Sequence, residues 1–179
     1  MEKKQVFCLS VLGKPVTKKR ARIFKNGGRI TPDKWYETML GDAFVEAYPE
    51  ADPIGHSFCI PNPDPDEWEW ELRKGVKDKM LPKVRIFMIF YFDSGKLGDA
   101  DNYMKAVKDG LKGYAWIDDR QVKFAPPWVI LDPDEESRVD ILITGNYDEK
   151  NDKLFQFVRG VMKNRGKVVD LREEYGYFD

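Results

Sequence analysis

An α+β fold, a small mixed sheet of about four strands with helices packed on it, is what this sequence predicts. Three observations predict it. The segments follow one another in the order strand, helix, strand, helix, strand, strand, helix. One run, Pro82 to Phe92 (PKVRIFMIFYF), is apolar at odd and even positions alike, as a strand covered on both faces must be. Two stretches repeat apolar residues at three- and four-residue intervals: Tyr36, Met39, Leu40, Ala43, Phe44 and Ala47, then Tyr103, Ala106, Val107, Gly110 and Leu111.

Gln5 to Leu12 (QVFCLSVL) reads as the first strand, closed by Gly13 and Pro15, with Cys8 as a core residue on it. Lys14 to Lys34 follows as a basic loop. Its Asn26-Gly27-Gly28 turn, between Arg-Ile-Phe and Arg-Ile-Thr, suits a small hairpin. Thr31-Pro32-Asp33 is a helix start, with Thr31 as N-cap and Pro32 in the first helical position, and the helix runs to about Tyr48.

Residues 49–81 carry Pro53, Pro61, Pro63, Pro65 and the acidic run Asp64 to Glu71 (DPDEWEWE), so they form a loop-rich insertion or a short excursion on the domain surface. Trp68 and Trp70 read as packing or interface residues, because the flanking glutamates would repel a phosphate backbone. After the central strand, an Asp93-Ser94-Gly95 turn leads through Leu97 and Gly98 to a helix from Asn102 to Leu111, ended by Gly113. Val122 to Leu131 is a strand interrupted by Pro126-Pro127, which places it at an edge or a bulge. Arg138 to Gly145 (RVDILITG) is another strand. Leu154, Phe157, Val158, Val161 and Met162 mark a closing helix, Gly166 is its stop, and the tail beyond is expected to fray.

Of the 179 residues, 42% are hydrophobic and 13% aromatic, enough to fill one core. The charged 34% nearly cancel to a net −1, which fits neither a disordered tail nor a uniformly basic coat, so a nucleic-acid role has to rest on local patches. Two cysteines (Cys8, Cys59) and one histidine (His56) exclude a disulfide framework and argue against Cys/His zinc sites. His56 lies in a Pro/Gly-flanked stretch poorly suited to a Ser-His-Asp triad. The opening apolar run is too short for a signal-peptide core, and Ile86 to Phe92 falls far below a membrane span. A reducing cytoplasm with both thiols free is the expectation.

The densest chemistry is Asp99-Ala100-Asp101-Asn102, with Lys105 four residues after Asp101 and Asp118-Asp119 beyond a turn at Gly113. In extended chain Asp99 and Asp101 point the same way, and two carboxylates side by side repel unless a cation or proton lies between them. Hard oxygen ligands without imidazole or thiolate suit Mg2+ or Mn2+. Asp119 reaches the same point if the helix packs back beside its own start, and such a site activates water for phosphodiester cleavage. The plainer reading of the same residues is an N-cap at Asp99 or Asp101, a surface pair between Asp101 and Lys105 worth about 0.5 kcal/mol, and turn residues at Asp118-Asp119. The stretch Lys14 to Lys34 sets Lys14, Lys18, Lys19, Arg20, Arg22, Lys25, Arg29 and Lys34 against one acid, Asp33. Such a loop fits phosphate-backbone contact with counterion release; its plainer reading is a solvated loop.

Taken together, Gly13-Lys14-Pro15 with its basic loop, Thr31-Pro32-Asp33-Lys34 with Tyr36-Glu37, the run Asp99-Ala100-Asp101-Asn102-Tyr103-Met104-Lys105, Asp109-Gly110-Leu111, and Trp116-Ile117-Asp118-Asp119-Arg120-Gln121-Val122 carry a resemblance. The sequence resembles the RusA family of Holliday-junction resolvases, small dimeric, magnesium-dependent endodeoxyribonucleases, over residues 5–48 and 82–145. The resemblance implies a RusA-like nuclease domain over residues 1–147, with the acidic insertion 49–81, and a C-terminal helical extension over residues 148–179. It implies Asp99, Asp101 and Asp119 as metal-binding catalytic acids, Lys105 as the catalytic lysine, and Asp118 as the lesser member of its doublet. It assigns DNA contact to Lys14, Lys18, Lys19, Arg20, Arg22 and Lys34.

The implied cofactor is Mg2+, with Mn2+ able to replace it. The implied partners are a four-way DNA junction and a second copy of the chain, with no membrane. The implied activity is paired symmetric nicking that leaves a 5′-phosphate and a 3′-hydroxyl. A branched-DNA binder that does not cut, and a metal nuclease for forks or flaps, are the alternatives. The long insertion, the helix past the core and the slightly acidic balance depart from the family, and bear on substrate preference and dimer geometry.

Overall fold

The structure is a computed structural model that describes residues 5–18, 22–23, 25–27, 29–30, 33–60, 70–145, 160, 162–163 and 166–176. Its elements in chain order are β1 (Val6–Leu12), β2 (Arg22–Ile23), β3 (Arg29–Ile30), α1 (Lys34–Ala47), β4 (Cys59–Ile60), β5 (Glu71–Leu72), β6 (Val84–Phe92), α2 (Ala100–Leu111), β7 (Val122–Phe124), β8 (Pro127–Leu131), β9 (Arg138–Gly145) and β10 (Lys167–Val169). The α+β expectation holds, with a sheet of six strands where the sequence suggested about four.

The sheet runs β10-β1-β9-β6, with β7 and β8 following one another along the far side of β6. β1 and β6 both lie antiparallel to β9, while β10, β7 and β8 run parallel to their partners. All nine residues of β6 are buried. Val84, Ile86, Met88, Phe90 and Phe92 face the helices with Leu9, Val11, Ile141 and Ile143. Phe87, Ile89 and Tyr91 face the other side with Cys8, Leu142 and Met162. The Pro126-Pro127 break has the expected effect: it divides one edge strand into two short ones, since proline cannot donate to a ladder.

Both helices cover one face, and they cross closely because α2 carries Gly110 where α1 passes. A β-carbon on Gly110 would stand 2.7 Å from the Glu37 carbonyl oxygen and 3.0 Å from the Leu40 β-carbon. Gly110→Ala should therefore destabilise the fold by about 1–3 kcal/mol, because overpacking against backbone outweighs the gain in helix propensity. A urea melt that finds the variant more stable than the parent would remove this account of the helix crossing.

Three local expectations change. The residue before α1 is Asp33, with no side-chain cap bond; the expected N-cap Thr31 and Pro32 lie outside the described residues. α2 begins two residues early because Asp99 caps it, accepting the Asp101 N–H at 3.1 Å. The tail docks rather than frays. β10 pairs with β1 from Leu9 to Val11, Val169 and Leu171 enter the core, and Tyr175 donates to the Asp42 carboxylate on α1. Lys167–Val169 thus complete the main sheet, and residues 146–159, where the expected boundary falls, lie outside the described residues. Of the expected closing helix, residues 160, 162 and 163 are helical, and Leu154, Phe157, Val158 and Val161 lie outside the described residues.

The hairpin expected at Asn26-Gly27 forms as β2 paired with β3. The insertion holds two single-turn helices (His56–Phe58 and Asp78–Met80) and the short β4-β5 pair; residues 61–69, with Trp68, lie outside the described residues. Both cysteines are free and buried. Burial, aided by the Asp140 charge, pushes the Cys8 thiol up to about 11. Among the described residues no helix is long and apolar enough to cross a membrane.

Candidate active site

β6 delivers the chain to the start of α2 at the end of the sheet marked by Phe92. Asp93 turns the corner by accepting from the Ser137 hydroxyl at 2.9 Å, and this bond, with Ser94 and the Lys14 charge nearby, holds its carboxyl below the usual range. Gly98 then packs tightly: a β-carbon there would stand 2.7 Å from a Thr17 methyl and 2.9 Å from the Tyr103 hydroxyl, which also accepts the Gly98 N–H. Tyr103 is itself wedged against Phe90 and Phe92. The Asp99–Asp101 segment is thus fixed to the core from both sides.

Asp99 and Asp101 are exposed on the first turn of α2. One oxygen of Asp99 serves as cap; no lysine or arginine pairs with either acid among the described residues. Lys105, one turn on and exposed, makes no ion pair with Asp101, so the surface-pair reading fails while the N-cap reading holds for Asp99. Lys105 shares a helix face with Asp101, four residues before it, and Asp99 precedes that face as the extended N-cap.

Asp119 lies elsewhere. It opens a single-turn helix, Asp119–Gln121, that leads into β7, whose Val122 pairs with Val84 at the start of β6. Asp99 follows the end of β6. The two acids stand at opposite ends of α2, whose 12 residues are about 18 Å long. The condition that the helix pack back beside its own start is not met. Among the described residues, no group of three or more His, Cys, Asp and Glu side chains is arranged to hold a metal ion.

The doublet itself is resolved clearly. Asp118 is taken by Arg120, which donates from Nε and Nη2 at 2.9 and 2.8 Å and holds the Asp118 carboxyl below the usual carboxylate range. Asp119 accepts one bond at 3.0 Å from the indole of the fully buried Trp116, and no cation pairs with it among the described residues. Asp118 also caps the single-turn helix, accepting the Arg120 N–H at 2.8 Å.

The basic loop starts at the Asp99 end. Lys14 approaches Gly95, and the Lys18 amide donates to the Asn102 carbonyl at 3.1 Å. Lys18 is less open to DNA than its position in the sequence suggested. Its ammonium is paired with Asp109 on α2 and lies 3.3 Å from Glu37 on α1. The other oxygen of Glu37 takes Lys34 at 3.1 Å. One carboxylate, 4% exposed, thus closes both ends of the loop. Lys34 stays 70% exposed and Lys25 is exposed; Lys19, Arg20 and the side chain of Arg22 lie outside the described residues. Glu37→Gln keeps the shape and leaves Lys18 and Lys34 without their shared anion, so a loss of about 1–2 kcal/mol is expected in a urea melt, discounted for the exposure of the lysines. An unchanged midpoint would show that the clasp holds nothing.

The residues sequence reading passed over are the ones that hold the basic loop and the Asp119 turn. Glu37, Asp109, Trp116 and Gln121 stood in the motifs without a role. A buried glutamate between two lysines, and a glutamine in a turn, have no periodicity to mark them.

Acids left without counter-ions beside a lysine, with a cationic loop rooted at the same end, are the equipment of an enzyme that hydrolyses phosphodiesters. The chain belongs to the RusA endodeoxyribonuclease family, whose model, Endodeoxyribonuclease RusA, matches residues 13–144, and it is accordingly a crossover junction endodeoxyribonuclease. The family carries Holliday-junction resolvase activity, branched DNA as substrate class and a general dependence on divalent metal. No curated protein matches the chain.

Proposed function

We propose that this chain works as a homodimeric, Mg2+-dependent resolvase that opens four-way junctions by paired symmetric nicks in DNA recombination and repair. The observation that carries the reading is selective: Asp118 and Asp109 have basic partners, whereas Asp99, Asp101 and Asp119 have none among the described residues. Uncompensated hard oxygens of this kind suit Mg2+, with Mn2+ as substitute.

Asp99 and Asp101 would hold the ion from the first turn of α2. Asp119 of the same copy is a helix length away, so the third carboxylate would come from a second copy. An antiparallel pairing of two chains sets the Asp119 end of one against the Asp99 end of the other, and its two-fold axis matches the symmetry of a four-way junction. Mg2+, when bound, supplies the positive charge that activates water for in-line attack and offsets the departing oxygen. Lys105 would neutralise charge building on the scissile phosphate. Lys14 and Lys34, with Lys19, Arg20 and Arg22, would grip the arms, and Lys18 would anchor the loop that presents them.

A cleavage comparison tests the reading: a synthetic four-way junction, a fork, a flap and a linear duplex, each with Mg2+. Symmetric ligatable nicks confined to the junction are expected. Preferential cutting of forks or flaps would reassign the substrate, and retardation of the junction without nicks at any divalent metal concentration would make the chain a binding protein.

A further inference from the structure

The insertion, expected to be a loop-rich insertion or a short surface excursion, packs against the turn that carries Asp119. Ile54 donates to the Ala115 carbonyl at 2.9 Å and bridges to Trp116. The Trp70 indole donates to the Gly113 carbonyl at 2.9 Å. Arg120 reaches from the turn to Asp78 at 2.6 Å. Cys59 and Leu81 bury Ile117 between them. Gly113, Ala115, Trp116, Ile117 and Arg120 of the turn are thus each held from residues 53–60 or 70–82.

Gln121 joins these contacts. Its side chain is 1% exposed and all its hydrogen-bonding capacity towards the turn is engaged. The amide oxygen accepts the N–H groups of Ile117 and Asp118 at 3.0 and 2.9 Å, and the amide nitrogen donates to the carbonyls of Ile54 and Pro82 at 3.0 and 3.1 Å. Rotating or replacing that amide strands four backbone groups in a buried place. Gly55, at φ +95°, admits it: a β-carbon there would stand 2.8 Å from the Gln121 amide nitrogen. The same turn fixes Trp116, whose ring is fully buried and whose N–H sets the direction of the Asp119 carboxylate.

We infer that residues 53–60 and 70–82 form a bracket that is a working part of the nuclease site, holding the Asp119 turn in place, with Gln121 and Trp116 as positioning residues. The inference rests on the reading of Asp119 as an acid of that site. A carboxylate that must meet two others, carried by a different copy, gains affinity for a shared cation only if its own position is already fixed.

The test uses the full chain with Trp70→Phe and Asp78→Asn, which alter the bracket without touching Asp119, and with Trp116→Phe, which deletes the bond to it. Mn2+ binding is read by electron paramagnetic resonance without DNA, alongside the Mg2+ concentration for half-maximal nicking, metal-free junction binding and the melting temperature. The bracket variants should weaken Mn2+ binding and raise the Mg2+ requirement by about 3–10-fold, and Trp116→Phe by about 10–100-fold. Metal-free junction binding should be unchanged, and excess Mg2+ should restore nicking. If Trp116→Phe does not fold, the two bracket variants decide. Bracket variants that melt earlier yet keep the parent Mn2+ and Mg2+ responses would overturn the inference and leave the insertion a prop for the fold, or a strip for a protein partner. Asp119→Asn separates the two layers. If it too leaves Mn2+ binding unchanged, the reading of Asp119 falls; if it alone weakens binding, only the bracket falls.

Discussion

Asp101→Asn should nick a four-way junction about a thousandfold more slowly than the parent and still bind it. The substitution keeps the size and shape of the side chain and removes one of two charges that nothing else on the first turn of α2 compensates. An amide oxygen is a poorer ligand for a hard dication, and losing a group aimed at developing charge costs about 10² to 10³ in rate. The fold should survive. Asp101 is exposed, and the cap bond comes from its backbone N–H to Asp99, which the variant retains. Loss of an acid at a helix N-terminus costs about 0.3–1 kcal/mol. Metal-free binding should tighten slightly, since a negative charge beside the phosphates is gone. Gel retardation and a single-turnover nicking assay read the two effects separately. A variant that cuts at the parent rate would exclude Asp101 from the site.

The second large effect is a rescue. Homodimers of Asp101→Asn and of Asp119→Asn are each expected to be inactive. When the two chains are unfolded together and refolded as a mixture, the mixed dimer has one site with both lesions and one with none, if the acids are shared between copies. Nicking should return from background to about a quarter of the parent rate, for random pairing of the two chains and one sound site per mixed dimer. The nicks should fall on one strand at a time. No recovery, with mixed dimers shown to form, would place all three acids within one copy and contradict their separation along α2.

The regular parts of this molecule could be read in advance because their signals are local. β6 declared itself by being apolar on both faces, and α2 by its spacing of Tyr103, Ala106, Val107 and Leu111. The hairpin at Asn26-Gly27 and the break at Pro126-Pro127 follow from single residues. What escaped is long-range. Lys167–Val169 is too short to announce a strand and exists only because β1 offers an open edge. The two acids that hold Lys18, Glu37 and Asp109, lie 19 and 91 residues after it, and no interval in the sequence links them. The resemblance preferred Asp119 over Asp118; the contact that sets the two apart, Arg120 folding back onto Asp118 alone, has no signal in the sequence. The distance of Asp119 from Asp99 was not legible, because the length of α2 was known but the direction of its return was not. The insertion looked like decoration because acidic, proline-rich sequence has no period, whereas its work is done by isolated contacts from Ile54, Trp70 and Asp78.

The placement of β10 has a consequence for how the molecule is born. Its neighbour is β1, so the rim of the sheet closes only after residues 167–169 have left the ribosome. Until then β1 presents a bare row of amides and carbonyls, and the nascent polypeptide is at its most prone to stick to a sibling on the same messenger.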